Sequence, residues 1–291
     1  MNRVGIYYAF WEREWSADFL PYVKKVKKLG FDTLEVAAGA LPEMTAAARR
    51  ALREEAEAEG IQLTCCMGLD PAHDVSSPDE SVRREGVKYV GTVLDCIHEI
   101  GSHVFSGINY AYWPIRIAAD YDYKMAARER SLVSLREILK KAEDYGIAYC
   151  LEVVNRFEQC ILNCAAEGVA YLRELESPAA KLLLDTFHMN IEEDSLGDAI
   201  RSAKGVLGHF HIGECNRKTP GTGRMPWREI FSALRDIDYT GAVVMEPFIR
   251  MGGQVGKDIK IFRDIGGGAD DAEMDRLAAE AAAFVRRGLE G

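Results

Sequence analysis

Four polar residues each stand at the end of a short apolar run: Leu151-Glu152, Leu184-Asp185, Phe210-His211 and Met245-Glu246. The runs Lys181 to Leu184 (KLLL) and Ala242 to Met245 (AVVM) predict a buried approach to each charge, where an unpartnered carboxylate would be costly. Taken singly, each residue has another reading. Glu152 could be an ion-pair partner, Asp185 a helix N-cap, His211 a hydrogen-bonded core histidine and Glu246 a buried acid paired with an arginine. Taken as a set, three carboxylates and one imidazole suit one divalent ion. Mn²⁺ fits that donor set, with Co²⁺ or Mg²⁺ as alternatives, whereas zinc prefers more nitrogen or sulfur.

The segments that follow these positions are polar in a repeated way. Glu158 follows Glu152 by way of Val-Val-Asn-Arg-Phe, His188 lies three residues past Asp185, and Arg217 follows His211 by way of Ile-Gly-Glu-Cys-Asn. His188 and Arg217 have the donors to hold substrate oxygens and Glu158 the acceptor to fix a hydroxyl; ordinary loop polarity is the competing reading. Two aromatic groups, Tyr7, Tyr8, Phe10, Trp11 and Trp15 in one and Tyr110, Tyr112 and Trp113 in the other, could wall one side of a pocket or pack in the core.

Residues so far apart in sequence need a scaffold that gathers strand ends. Short β-rich runs alternate with longer amphipathic stretches, the pattern of parallel-sheet proteins. Eight strands are predicted: Val4–Tyr8, Thr33–Val36, Gln62–Met67, His103–Gly107, Ala148–Val153, Lys181–Asp185, Gly208–Ile212 and Ala242–Glu246. Helices are predicted at Asp18–Leu29, ending before Gly30; at Ser131–Tyr145, ending before Gly146; at Pro226–Ile237; and at Asp271–Arg287. The expected fold is therefore a (β/α)₈ barrel, whose carboxyl-end mouth would bring the four candidate ligands together. At 291 residues the chain is near the roughly 250 typical of such barrels. No Gly/Ser linker or low-complexity block divides it, so residues 1–291 read as a single domain. Gly266-Gly267-Gly268 reads as a loop before the last helix rather than a phosphate cradle, since no strand precedes it and no Lys-Ser/Thr follows.

Composition removes other classes. The net charge of −10 disfavours nucleic-acid binding, and no apolar run approaches the roughly 20 residues of a membrane span. The amino terminus shows no secretory signal, which points to a cytoplasmic location. Seven cysteines, scattered and without a C-x-x-C pair, argue against a disulfide framework; Cys65 and Cys66 should point to opposite faces of one strand.

Five segments carry a family resemblance: GIYYAFW (5–11), LEVVNRFE (151–158), DTFHMN (185–190), HFHIGECNR (209–217) and VMEPF (244–248). They resemble the ketose 3-epimerases, among them the D-psicose (D-allulose) and D-tagatose enzymes, within the xylose-isomerase-like barrel superfamily. The resemblance runs essentially end to end. It implies Mn²⁺ or Co²⁺ held by Glu152, Asp185, His211 and Glu246, and substrate contacts from Tyr7, Glu158, His188 and Arg217. It further implies epimerisation at C3 of a ketose monosaccharide through a cis-enediolate, with Glu152 and Glu246 as paired acid and base, and a homodimer or homotetramer. Interconversion of D-fructose with D-psicose, or of D-tagatose with D-sorbose, would follow. The competing enzyme is an aldose-ketose isomerase or inosose-type enzyme on the same barrel. An abasic-site endonuclease would want several zinc ions and a basic groove, which six histidines and net negative charge do not offer. A sugar-binding protein with a silent site is the reading from another class.

Overall fold

In the computed structural model, which describes residues 2–117 and 119–291, eight parallel strands close into a barrel in sequence order. The strands are β1 (Val4–Tyr7), β2 (Thr33–Ala37), β3 (Gln62–Cys66), β4 (Val104–Gly107), β5 (Ala148–Val153), β6 (Ala180–Asp185), β7 (Leu207–Ile212) and β8 (Val243–Met245). The helices around them are α1 (Leu20–Lys28), α2 (Ala46–Glu59), α3 (Glu80–Glu99), α4 (Tyr121–Tyr145), α5 (Ala165–Leu175), α6 (Thr186–Glu192), α7 (Leu196–Ser202), α8 (Trp227–Asp236), α9 (Gly253–Asp258) and α10 (Asp271–Glu290). The strands are buried on both faces, which is why they read as apolar runs rather than alternating ones. Each fully buried Leu, Ile or Phe of this layer contributes roughly 1.5–3 kcal/mol over an exposed one.

Helix ends follow local chemistry. Thr45 and Asp120 accept the backbone N–H of Ala48 and Tyr123 at the starts of α2 and α4, and Gly60 and Gly146 take the left-handed conformation at their ends. Several expected element ends shift. The fourth helix begins at Tyr121, ten residues before the predicted Ser131, because Asp120 caps it there although the first turns carry no apolar stripe. Tyr8 leaves the first strand for a 3₁₀ turn over Tyr8–Phe10, and β8 stops at Met245, one residue before Glu246.

Strand register decides which side chains face the barrel axis, since paired residues of parallel neighbours point the same way. Tyr7 pairs with Glu35, Glu35 with Thr64, Cys66 with Ser106, Ser106 with Cys150, Glu152 with Leu183, Asp185 with His211, and His211 with Val244. The inward face therefore includes Glu35, Thr64, Cys66, Glu152, Asp185 and His211, and alternation places Cys65 outward toward the helices. Between β6 and β7 the register slips: Leu182 pairs with Leu207 but Leu183 with His209, leaving Gly208 as an extra residue. A Cβ there would lie 2.5 Å from the Lys181 Cβ, so only glycine fits the bulge that turns His209 and His211 inward.

Candidate active site

Glu152 and Asp185 come from the ends of β5 and β6, His211 from β7, and Glu246 from the residue after β8. One potential ligand atom from each lies within 4.8 Å of the other three, and all four residues are buried. The alternatives weighed residue by residue hold at the same time. Asp185 caps α6 by accepting the Phe187 N–H, His211 is hydrogen-bonded in the core, and Glu246 pairs with Arg217. Each carboxylate oxygen has more than one lone pair, so capping or pairing still leaves acceptor capacity for an ion.

Burial raises the Glu246 carboxyl well above the ordinary carboxylate range, with Glu152 and Asp185 adding to the rise against His211 and Arg217. Burial acts the same way on Asp185, but Arg217, His188 and His211 outweigh it and hold that group low. Burial works against the charged imidazole of His211, yet Glu35 and then Glu246 raise it to about 10. At Glu246, burial and carboxylate–carboxylate repulsion are thus only partly offset by His211 and Arg217. The His211 Nδ1 atom is buried with no hydrogen-bond partner among the described residues, 3.7 Å from Glu246 Oε1. An orphaned imidazole nitrogen among three carboxylates fits a divalent cation.

The expected substrate-facing residues converge on the same place. Arg217 Nη1 lies 2.9 Å from Asp185 Oδ2 and 3.0 Å from Glu246 Oε2, and its guanidinium stacks 3.8 Å from the Phe187 ring centroid. Its backbone has φ +64, an uncommon value for arginine, held by Arg217 N–H donating to Glu214 O and Phe248 N–H donating to Arg217 O. Glu214, which reads in sequence as part of a polar offering, is a brace: it accepts from Gly221 N, Met225 N and Trp227 Nε1. His188 Nδ1 receives the Asn155 backbone and side-chain N–H at 3.2 and 2.7 Å, so Nε2 carries the proton toward Glu152, 3.5 Å away. Glu158 accepts from Trp113 Nε1 at 2.8 Å and from Asn155 Nδ2 at 3.2 Å. Burial pushes the Glu158 carboxyl up, but His188, Arg217 and these two donors outweigh it and keep it below its usual range.

Above these groups opens a cavity of about 350 Å³, lined in part by Tyr7, Trp15, Trp113, Glu158, His188 and Phe248. Tyr7 and Phe248 meet edge to face at 6.2 Å, and Trp15 meets Trp113 at 6.2 Å, forming an aromatic wall. Only part of the two aromatic groups reaches it. Tyr8 packs on Phe19, Trp11 donates to Asp275 on α10, and Tyr110 supports β5 by donating to the Glu152 carbonyl. Sequence reasoning missed Asn155, Phe248 and Glu35. Asn155 and Phe248 lie within quoted motifs, but loop residues carry no periodicity that says which ones turn inward; Glu35 carries one signal, a charge between Leu34 and Val36 in a buried strand.

A parallel barrel with buried carboxylates, an imidazole and a guanidinium beneath a sugar-sized, aromatic-walled cavity defines a class of barrel enzymes acting on small polar molecules. The family model of the xylose isomerase-like TIM barrels matches residues 23–265. The chain is 50% identical over 287 residues to a D-psicose 3-epimerase of Agrobacterium fabrum, covering 99% of each. It matches the structure of D-psicose 3-epimerase with D-tagatose from Clostridium cellulolyticum H10 with TM-score 0.96 and 48% identity, covering 99% of each chain. A structure of D-psicose 3-epimerase in the presence of D-fructose matches with TM-score 0.97 and 49% identity, over 99% of this chain and 100% of that one. The chain belongs to the xylose isomerase-like TIM barrel family and, within it, to the ketose 3-epimerases.

Proposed function

We infer that the chain is an isomerase that epimerises C3 of a free ketose, with D-fructose and D-psicose as its first substrate pair and D-tagatose and D-sorbose as a second. The observation that carries the reading is the convergence of Glu152 and Glu246, from strands separated by β6 and β7, beside Arg217 and His188 under one cavity.

Epimerisation at C3 removes a proton from the carbon next to the C2 carbonyl and returns one to the opposite face. Two bases on opposite faces meet that need. One glutamate takes the C3 proton as the C–H electrons move into a cis-enediolate. The other glutamate then donates its proton to C3 from the other side, and the two exchange roles in the reverse direction. Arg217 and His188, each with an N–H aimed at the same space, steady the developing charge on the C2 oxygen. Glu158, held by Trp113 and Asn155, fixes a substrate hydroxyl, and the wall of Tyr7, Trp15, Trp113 and Phe248 keeps water from the reacting carbon. Glu152, Asp185, His211 and Glu246 would hold a divalent ion, Mn²⁺ with Co²⁺ or Mg²⁺ as alternatives, which supplies Lewis acidity beside the reacting oxygens.

The whole chain, residues 1–291, works as one domain in this reading. It acts in the cytoplasm, in keeping with seven cysteines that are all free; among the described residues no helix is long and apolar enough to cross a membrane. Exposed Phe157 and Phe262, 65% and 83% accessible, favour assembly into a homodimer or homotetramer. Incubation of metal-loaded protein with D-fructose tests the reading: chromatography should show D-psicose and no aldose. An aldose product would move the assignment to an isomerase working between C1 and C2.

A further inference from the structure

The four candidate ligands do not account for Glu35, a carboxylate with no solvent contact in the barrel interior. Its inward position on β2 meets two histidines of β7, on the far side of the barrel. Oε1 lies 2.6 Å from His211 Nε2; Oε2 lies 2.7 Å from His209 Nε2 and accepts the Thr64 hydroxyl at 2.9 Å. Every partner is itself buried. The register slip at Gly208 is what sets His209 and His211 on this face, so the bulge and the carboxylate act together.

The consequence falls on His211. An ionised carboxylate only accepts hydrogen bonds, so the nitrogen that faces it must carry a hydrogen. That nitrogen is Nε2. In the neutral ring the lone pair is then left on Nδ1, the atom that has no hydrogen-bond partner among the described residues and lies beside Glu246. We propose that Glu35 is a positioning residue that selects Nδ1 of His211 as the metal-binding nitrogen and fixes the aim of the ring. The assignment rests on the metal reading of the site.

His209 and Thr64 complete the device. By taking Oε2 they hold the carboxylate plane, so that Oε1 stays on His211 and Glu35 does not swing toward the ion as a further ligand. The Cys66 thiol lies within 4.8 Å of a ligand atom of Glu35 and of His211, in the same buried interior.

The near-isosteric substitution Glu35→Gln tests this, because an amide can accept from one imidazole but presents N–H to the other. Calorimetric titration and Mn²⁺ paramagnetic resonance should show a dissociation constant raised about 10- to 100-fold, the range for loss of a partner that orients a metal-bound histidine. At saturating Mn²⁺ the turnover number should recover to within about threefold of wild type and KM for the ketose should stay unchanged, a split that general misfolding would not produce. Glu35→Asp, which keeps the charge, should fall between the two. Nitrogen-15 NMR of the wild-type histidine rings gives a readout independent of any variant: with Mg²⁺ bound, His211 should keep its proton on Nε2 and show the metal-induced shift on Nδ1. Metal on Nε2, or equal Mn²⁺ affinity in wild type and Glu35→Gln, would overturn the assignment alone. A wild-type chain that takes up no Mn²⁺, Co²⁺ or Mg²⁺ would overturn the metal reading and the assignment with it.

Discussion

Asp185 and Glu246 each serve structure with one oxygen and face the cluster with the other, as N-cap of α6 in one case and partner of Arg217 in the other. Residues of this kind make mutational loss ambiguous, because a variant can fail by losing an ion, a cap or a proton-transfer group. Glu152→Gln and Glu246→Gln keep size and one acceptor oxygen but remove the titrating group. Each should lower the turnover number by at least about 100-fold, the low end of what acid–base catalysis contributes. Metal content, measured on the same samples, separates the causes. Substantial turnover in either variant with metal retained would remove that residue from the acid–base pair.

At the scale of elements, the site depends on strand ends that cannot drift. Gly107 closes β4 with φ +112, and a Cβ there would sit 2.2 Å from the Met67 carbonyl oxygen. Beyond it, Ile108 lines the cavity and Tyr110 supports the Glu152 carbonyl. Gly107→Ala should therefore destabilise the fold by ~2–4 kcal/mol, combining an unfavourable backbone conformation with a backbone clash. Urea unfolding reads this as a lower midpoint at unchanged slope; an unchanged midpoint would mean that β3 and β4 move apart at little cost. The strands themselves are legible in the sequence as short β-rich runs between amphipathic stretches, and the closing of the last four by a polar residue exposes Glu152, Asp185, His211 and Glu246. The start of α4 is not legible, since Tyr121 to Arg130 has no apolar period and Asp120 alone marks the cap. Glu35 escaped because one charge in a short strand normally faces solvent, and its partners stand across the barrel, 174 and 176 residues away in sequence. Phe248 and Trp15 meet in space through loops whose path no periodicity encodes.

For the molecule as a whole, one closed barrel carries the cluster, and α10 returns to pack against β1 and α8. A cation bound only by the folded barrel would stabilise all of it, by about 2.7 kcal/mol at 100 times the dissociation constant. At ~2–4 °C per kcal/mol for chains of this order, EDTA should lower the unfolding temperature by roughly 5–10 °C in a single transition. An unchanged temperature would argue against a bound cation, and two transitions would argue against one domain. The whole account turns on proton exchange at a single carbon, which proton NMR of D-fructose with metal-loaded protein in D₂O observes directly. Solvent deuterium should enter C3 as D-psicose forms, stop with EDTA and resume with Mn²⁺. Deuterium at C1 with an aldose product, or ketose that binds without any exchange at C3, would contradict it.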